Sequence, residues 1–426
     1  MHDDGSSSIC RCVRMAGHFP VKAAWHVILV VLAVCTGVCL AGAVKGEPLL
    51  DVEARNRIDS LVEGAIARRV TPSAAIVVGT ADRILFARAY GRHTYDDNSP
   101  AVTLDTIYDL ASVSKAVGTT SATMLLVQDG KLSLDDPVCK YIRAWDRDDK
   151  RNITIRHLLS HTSGLPAYTR AERAEAERLE NESRPDALIR HIASLPLRYE
   201  TGKGCTYSCL NFITLARINE EVAGKSQEEF LRERVLGPLR MRDTGYYLSD
   251  DQKSRAAPTT GGRNGRQGDV HDPLAAYYSD GYHCGGNAGL FSSAGDLAAF
   301  CQMMLADGRW DGRQILAPET IDLFVRNSLP LRLRKVHGLG WGRYLFPPYA
   351  TRLNRGYAKA AFGHGGYTGT FIRIDRLAGT FFILLTNRVF PDDRTSEVRL
   401  RREILRIILE AEPLYEGLAT HRRGRR

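Results

Sequence analysis

Two groups of short apolar runs at opposite ends of the chain set the strongest limit on what it can fold into. Near the start, residues 74–79 (AAIVVG) and 84–90 (ILFARAY) flank Asp82 and Arg83, the pattern of two strands joined by a tight hairpin. Near the end, residues 339–344, 371–375 (FIRID) and 380–386 (TFFILLT) are β-rich and punctuated by glycine, as adjacent antiparallel strands are. Between the two groups lies a long stretch of helical spacing, including residues 154–159, 185–194, 211–223 and 227–235. Strands at both ends with helices between them predict an α/β (α+β) fold: one antiparallel sheet flanked by helices, with an inserted helical subdomain. Amphipathic helices are expected at 51–69 and 396–411, and Ser293 to Asp296 reads as a capping box before an apolar helix.

Charge and termini place this fold in a setting. The chain has 426 residues and a net charge of +9, which raises the question of nucleic-acid binding. Much of the excess sits late, at Arg399, Arg401, Arg402 and Arg406 and then in the tail at Arg422, Arg423, Arg425 and Arg426. No recognition helix, zinc-finger spacing or aromatic-basic motif surrounds these residues, so the charge reads as solvated or membrane-facing, and no nucleic-acid partner is expected. Residues 23–44 are apolar apart from His26 and Thr36, follow Lys22 and end in Ala41-Gly42-Ala43, the pattern of an export signal. The run is also long enough to stay uncut as a membrane anchor. The expected organisation is an N-terminal region with signal or anchor (1–46), a main domain (47–412, helical subdomain about 112–290) and a basic tail (413–426). Such a chain would be exported, either periplasmic or anchored to the outer face of the cytoplasmic membrane. Cys139, Cys205, Cys209, Cys284 and Cys301 show no repeating spacing and imply no disulfide framework.

Three short segments carry chemistry. In YDLASVSK (108–115), Ser112 precedes Lys115 by three positions on a predicted helix, so the two side chains share a face. A serine hydroxyl attacks carbonyls only when a base takes its proton. Burial and the positive end of a helix both disfavour an ammonium, so Lys115 is expected to become a usable base there. The same helix end offers backbone N–H groups to a developing oxyanion. Ser-x-x-Lys alone is short, and Ser114 is a second candidate serine. Tyr207, in TYSCLNF (206–212) just ahead of a predicted helix, can shuttle a proton beside a lysine, or be a core tyrosine. GHGGYTGT (363–370) lets substrate approach backbone N–H groups, with His364 offering a donor or a positive charge, or it is a plain hairpin turn before the strand 371–375.

The chain resembles the β-lactamase-related serine hydrolases: class C β-lactamases, penicillin-binding proteins, D-alanyl-D-alanine carboxypeptidases and related esterases. DLASVSKAVGTT, LSLDDPVCKYI, ITIRHLLSHTSGLP, VLGPLRMRDTGY, NAGLFSSAGDLAAF and GHGGYTGTFIRID resemble family segments in family order. The resemblance implies a β-lactamase/transpeptidase-like fold and acylation of Ser112, with Lys115 and Tyr207 moving protons. It implies an oxyanion hole from the backbone N–H groups of Ser112 and Tyr367, and a substrate-binding role for Cys209, His364, Gly365 and Gly366. Three departures bear on specificity. Cys209 stands where relatives often carry asparagine or aspartate, and a thiol is a weak partner for a substrate amide. Asn287 replaces an expected histidine, in a position that lines the cleft. His364 stands where many relatives carry lysine, and weakens the attraction for a substrate carboxylate.

Competing constellations are thin. His157 and His161 lie four apart but lack the glutamate of a zinc-protease helix, and fit structural or capping roles better than metal ligation. His271, His283 and Cys284 form a loose group suited to loop packing. No phosphate loop or dinucleotide fingerprint appears, and no cofactor or metal is expected. The leading expectation is a serine hydrolase acting on amide or ester carbonyls of a small molecule or peptide: a peptidoglycan stem peptide, a β-lactam or an ester. A cell-wall peptidase or penicillin-binding type ranks first, an esterase next and a β-lactamase third. The rivals are a catalytically silent protein that binds peptidoglycan fragments, and a basic surface protein whose tail holds anionic lipid or polymer.

Overall fold

The two ends of the chain meet in one six-stranded sheet, ordered Ile84–Gly91, Ser73–Thr80, Thr380–Thr386, Phe371–Asp375, Ala361–Gly365 and Gly342–Arg343. Every neighbouring pair is antiparallel, and the closing contact sets Ala74 opposite Thr386 and Thr80 opposite Thr380. The computed structural model describes residues 50–260, 265–329, 333, 337–343 and 361–411. The expected 1–46 and 413–426 regions, with the apolar run and the arginine tail, lie outside the described residues. Among the described residues no helix is long and apolar enough to cross a membrane.

The period of a strand explains why the sheet has two cores. Along Ser73–Thr80 alternate side chains face opposite sides. Ala74, Ile76 and Val78 pack with Phe382 and Leu384 beneath the N-terminal helix Val52–Ala67 and the C-terminal helix Val398–Ala411. Ala75 and Val77 join Phe381, Ile383 and Leu385 in the larger core shared with helix Ala294–Leu305 and the helical stretch between the sheet halves. The C-terminal helix buries Leu400, Ile404, Leu405, Ile407 and Ile408 on one face, each worth about 1.5–3 kcal/mol of apolar burial.

Several expectations are refined. The predicted strand at 339–344 is limited to Gly342–Arg343 among the described residues. Ser293 caps its helix by accepting from the Asp296 N–H, but Asp296 does not reciprocate; its carboxylate accepts from Asp243 N and Thr244 Oγ1 instead. His157 and His161 do not share a helix face: the helix is Ile155–Leu159, and His161 follows it with a φ of +59°. His157 Nδ1 closes a capping box with Thr154. Among the described residues no His/Cys/Asp/Glu group suited to a metal is found, and Cys139, Cys209, Cys284 and Cys301 are free thiols.

Candidate active site

The site begins where the chain leaves a short ribbon, Tyr108–Asp109 paired with Phe291–Ser292, and turns into a helix. Ala111 is forced to a φ of +47°, a region costly for a side-chain-bearing residue. Its N–H is held by Asp109 Oδ1 at 2.8 Å. This turn sets Ser112 immediately before the helix. Lys115 then opens a π-helical segment, Lys115–Thr120, which passes into the α-helix Ser121–Gln128. The wider turn fits at Gly118, where a Cβ would lie 2.3 Å from the Tyr246 hydroxyl.

Lys115 is fully buried. Its ammonium donates to Ser112 Oγ at 2.9 Å, to the Asn287 backbone oxygen at 2.7 Å and to Cys209 Sγ at 3.6 Å. Three N–H groups thus meet three acceptors. Burial pushes its pKa down, but Cys209, Tyr207 and Asp272 push it up, and the net direction is upward. This corrects the expectation that burial and the helix end leave Lys115 as a neutral amine: local placement favours the base, and the neighbours outweigh it. Ser114, the other candidate serine, is buried and accepts from Leu290 N at 3.0 Å, which makes it a packing residue.

Tyr207 enters from the loop before helix Cys209–Ala223. His161 Nδ1 accepts from Ser208 N at 3.1 Å and from Asn211 Nδ2 at 3.3 Å, and its ring lies 4.6 Å from that of Tyr207. A residue first weighed as a metal ligand therefore steadies the Tyr207 loop. Lys115 Nζ lies 4.9 Å from the Tyr207 ring centre. Tyr207 is exposed as a residue, but desolvation of its phenol raises its pKa, against the opposing pull of Lys115 and of hydrogen bonding to Lys115 and Ser112.

The opposite wall comes from the sheet. Gly363, His364 and Gly365 belong to the strand Ala361–Gly365, not to a turn ahead of Phe371–Asp375; the turn itself is residues 366–370. Gly366 must be glycine here, because a Cβ would meet Thr370 Oγ1 at 2.1 Å and the Leu110 oxygen at 2.4 Å. Thr368 Oγ1 donates to Asp109 O at 2.7 Å and Thr370 Oγ1 to Leu110 O at 2.8 Å. These bonds tie the turn to the segment that delivers Ser112. Among the described residues neither the Ser112 N–H nor the Tyr367 N–H meets an acceptor. His364 is buried, its ring 6.0 Å from that of Tyr207, and its Nδ1 donates to Gly365 O at 2.8 Å. Burial first, then Lys115, pushes its pKa down to about 3. His364 is thus a neutral imidazole, not the positive charge that was one of its two expected forms.

Four further residues belong to the site. Asn287 is buried instead of lining the cleft, and its backbone oxygen grips Lys115. Asp272 accepts from Asn287 Nδ2 at 3.0 Å and from the Tyr168 hydroxyl at 3.4 Å. His271, set aside above as loop packing, donates from Nδ1 to the buried Asp109 at 2.8 Å and stacks on the Tyr367 ring at 5.8 Å. Burial lowers the His271 pKa, but Asp109 reverses this and the net direction is upward. Of these residues only Asp272 left a local signal: aspartate before proline marks a helix start, and it does cap Pro273–Tyr278. Its place beside Lys115 is a tertiary fact.

Comparison with known proteins gives the family and the fold. The family profile described as Beta-lactamase matches residues 58–406. A Bacillus subtilis (strain 168) protein named N-acetylmuramyl-L-alanine amidase is 30% identical over 367 residues, covering 78% of this chain and 80% of its own. An Escherichia coli (strain K12) protein provisionally named D-alanyl-D-alanine carboxypeptidase is 29% identical over 349 residues, covering 74% of this chain and 78% of its own. The solved structure of EstCE1, described as a hydrolase with promiscuous acyltransferase activity, superposes with a TM-score of 0.67 at 23% identity, covering 83% of this chain and 98% of that one. The chain belongs to the β-lactamase family of hydrolases and has the β-lactamase/transpeptidase fold.

Proposed function

We propose that this protein is a serine hydrolase that cleaves amide or ester carbonyls through an acyl-enzyme on Ser112, of the cell-wall-peptide or penicillin-binding type. The observation that carries the reading is the 2.9 Å contact between Ser112 Oγ and the buried Lys115 Nζ, set opposite two backbone N–H groups without acceptors. Lys115 and Tyr207 act as one proton-holding pair. At rest the pair keeps both protons, since each pKa is displaced upward, so one must leave before the pair can take the Ser112 proton. The Ser112 oxygen then bonds to the carbonyl carbon, and the negative charge formed on the carbonyl oxygen is met by the Ser112 and Tyr367 N–H groups. The pair returns its proton to the leaving nitrogen or oxygen as that bond breaks. Water, deprotonated by the same pair, releases the acyl group and restores Ser112. Cys209, Gly365 and Gly366 border the substrate.

The named activities of the relatives in B. subtilis and E. coli support a peptidoglycan amide as substrate. A neutral His364 supports an ester, or an amide whose leaving group carries no carboxylate, as the second reading. The proposed setting is outside the cytoplasm, reached through the 23–44 segment, which also supplies any membrane association.

The test is a panel in which the full chain is incubated with soluble muropeptides, a fluorescent penicillin and a short-chain ester. Amide cleavage together with a penicillin adduct is expected. Ester cleavage alone would favour the second reading, and a folded protein inert to all three would leave the silent binding protein in its place.

A further inference from the structure

We propose that Asp272, acting through Asn287, is a positioning residue that anchors Lys115 and balances its charge. This rests on the reading of Ser112 and Lys115 given above.

A buried charge is costly unless another charge answers it. Lys115 is wholly buried, yet among the described residues no carboxylate lies within 4.0 Å of its nitrogen; its partners are the Ser112 and Tyr207 hydroxyls, a thiol and a backbone carbonyl. Asp272 is the mirror case. It accepts from Ala275 N at 2.8 Å, from Asn287 Nδ2 at 3.0 Å and from Tyr168 OH at 3.4 Å, and no lysine or arginine of the described residues pairs with it. One residue joins the two unpaired charges. The Asn287 amide nitrogen donates to Asp272, and its backbone oxygen accepts from Lys115 at 2.7 Å.

Asn287 is 1% exposed, and its Oδ1 meets no donor among the described residues. The side chain is therefore oriented by Asp272 alone. After Cys209 and Tyr207, Asp272 also pushes the Lys115 pKa upward, as a carboxylate would. The other groups facing Lys115 are Tyr207, Cys209 and His364, while Tyr168 and His271 face Asp272, and His271 is held in turn by Asp109. Cys209 and Tyr207 push the Lys115 pKa up more strongly than Asp272 does, but Asp272 alone among these groups is a carboxylate.

Removing that charge weakens the hold of Lys115 on its proton, so the form able to accept the Ser112 proton appears at lower pH. The experiment follows the rate at which a fluorophosphonate probe labels Ser112 in the full chain from acid to alkaline pH. Wild type should show a rising limb. In Asp272→Asn that limb should move down by about one pH unit, the size of effect expected from removing one charge that acts through the protein interior. Asp272→Glu should leave it in place. In Asn287→Ala both charges remain, so the limb should stay while the plateau falls about tenfold, the equivalent of one strong hydrogen bond.

A limb unmoved in Asp272→Asn, whatever the plateau, would overturn the proposal. If Asp272→Asn does not fold, Asn287→Ala decides: an unchanged plateau would overturn it. Failure of wild type to label at Ser112 at any pH would instead refute the underlying catalytic reading.

Discussion

The wall of the cleft built from residues 109–115 and 207–209 is organised around one buried ammonium, whereas the wall built from residues 364–370 brings in no charge. On the first wall, Lys115 spends its three N–H groups on Ser112, Asn287 and Cys209. On the second, His364 is held neutral by burial and by Lys115, its Nδ1 committed to the Gly365 oxygen. The two walls are joined by Thr368 and Thr370, whose hydroxyls donate to the carbonyls of Asp109 and Leu110. The lesson is a division of labour. In the proposed mechanism the helix wall supplies proton transfer and one oxyanion donor, the Ser112 N–H, and the sheet wall supplies the other, the Tyr367 N–H.

This contrast can be broken from either side. The largest effect should come from the charged wall: Lys115→Met is expected to lower the rate of Ser112 acylation on the order of 10³-fold, read as kcat/KM on the preferred amide or ester. Next comes the turn of the neutral wall. Gly366→Ala forces a Cβ against the Leu110 oxygen, and should cost about 2 kcal/mol of stability and on the order of 10²-fold in kcat by displacing the Tyr367 N–H. Thermal melting and steady-state rates would check the two parts separately.

Smaller effects sharpen the same comparison. Thr368→Val removes one tie between the walls, worth about 1 kcal/mol, and should lower kcat about fivefold with little change in KM. The neutrality of His364 makes a prediction about pH. Its folded pKa of about 3 lies below the ordinary value of 6.5, so below about pH 6.5 the unfolded chain takes up a proton that the folded chain refuses. Stability should therefore fall as pH drops from 6.5 towards 3, by up to about 1.4 kcal/mol per pH unit from this group. Denaturant melts of wild type and His364→Gln at pH 7 and pH 5 isolate that share: the variant should lose less on acidification.

Much of the scaffold was legible because it is written locally. The hairpin at 73–91, the strand pair at 371–386 and the helices at both ends all follow from periodicity and turn residues. The Ser112, Lys115 and Tyr207 constellation was legible through short motifs, and the structure brings the three together. What escaped is tertiary. Gly363 and Gly365 carry no strand propensity, yet they pair with Arg373 and Phe371 across the sheet, so the neighbouring strand overrides local preference. The upward push on the Lys115 pKa escaped because the spacing of Ser-x-x-Lys says nothing about Cys209, Tyr207 or Asp272. His271 looked like loop packing because its partner Asp109 lies far away in sequence.

The central claim is that Ser112 is the acylated nucleophile. The most direct measurement is intact-protein and peptide mass spectrometry of the full chain after incubation with a β-lactam or fluorophosphonate, set beside Ser112→Ala. A single adduct on the peptide carrying Ser112, absent in the variant, is the predicted result. An adduct on another residue, or one that persists in Ser112→Ala, would contradict the account.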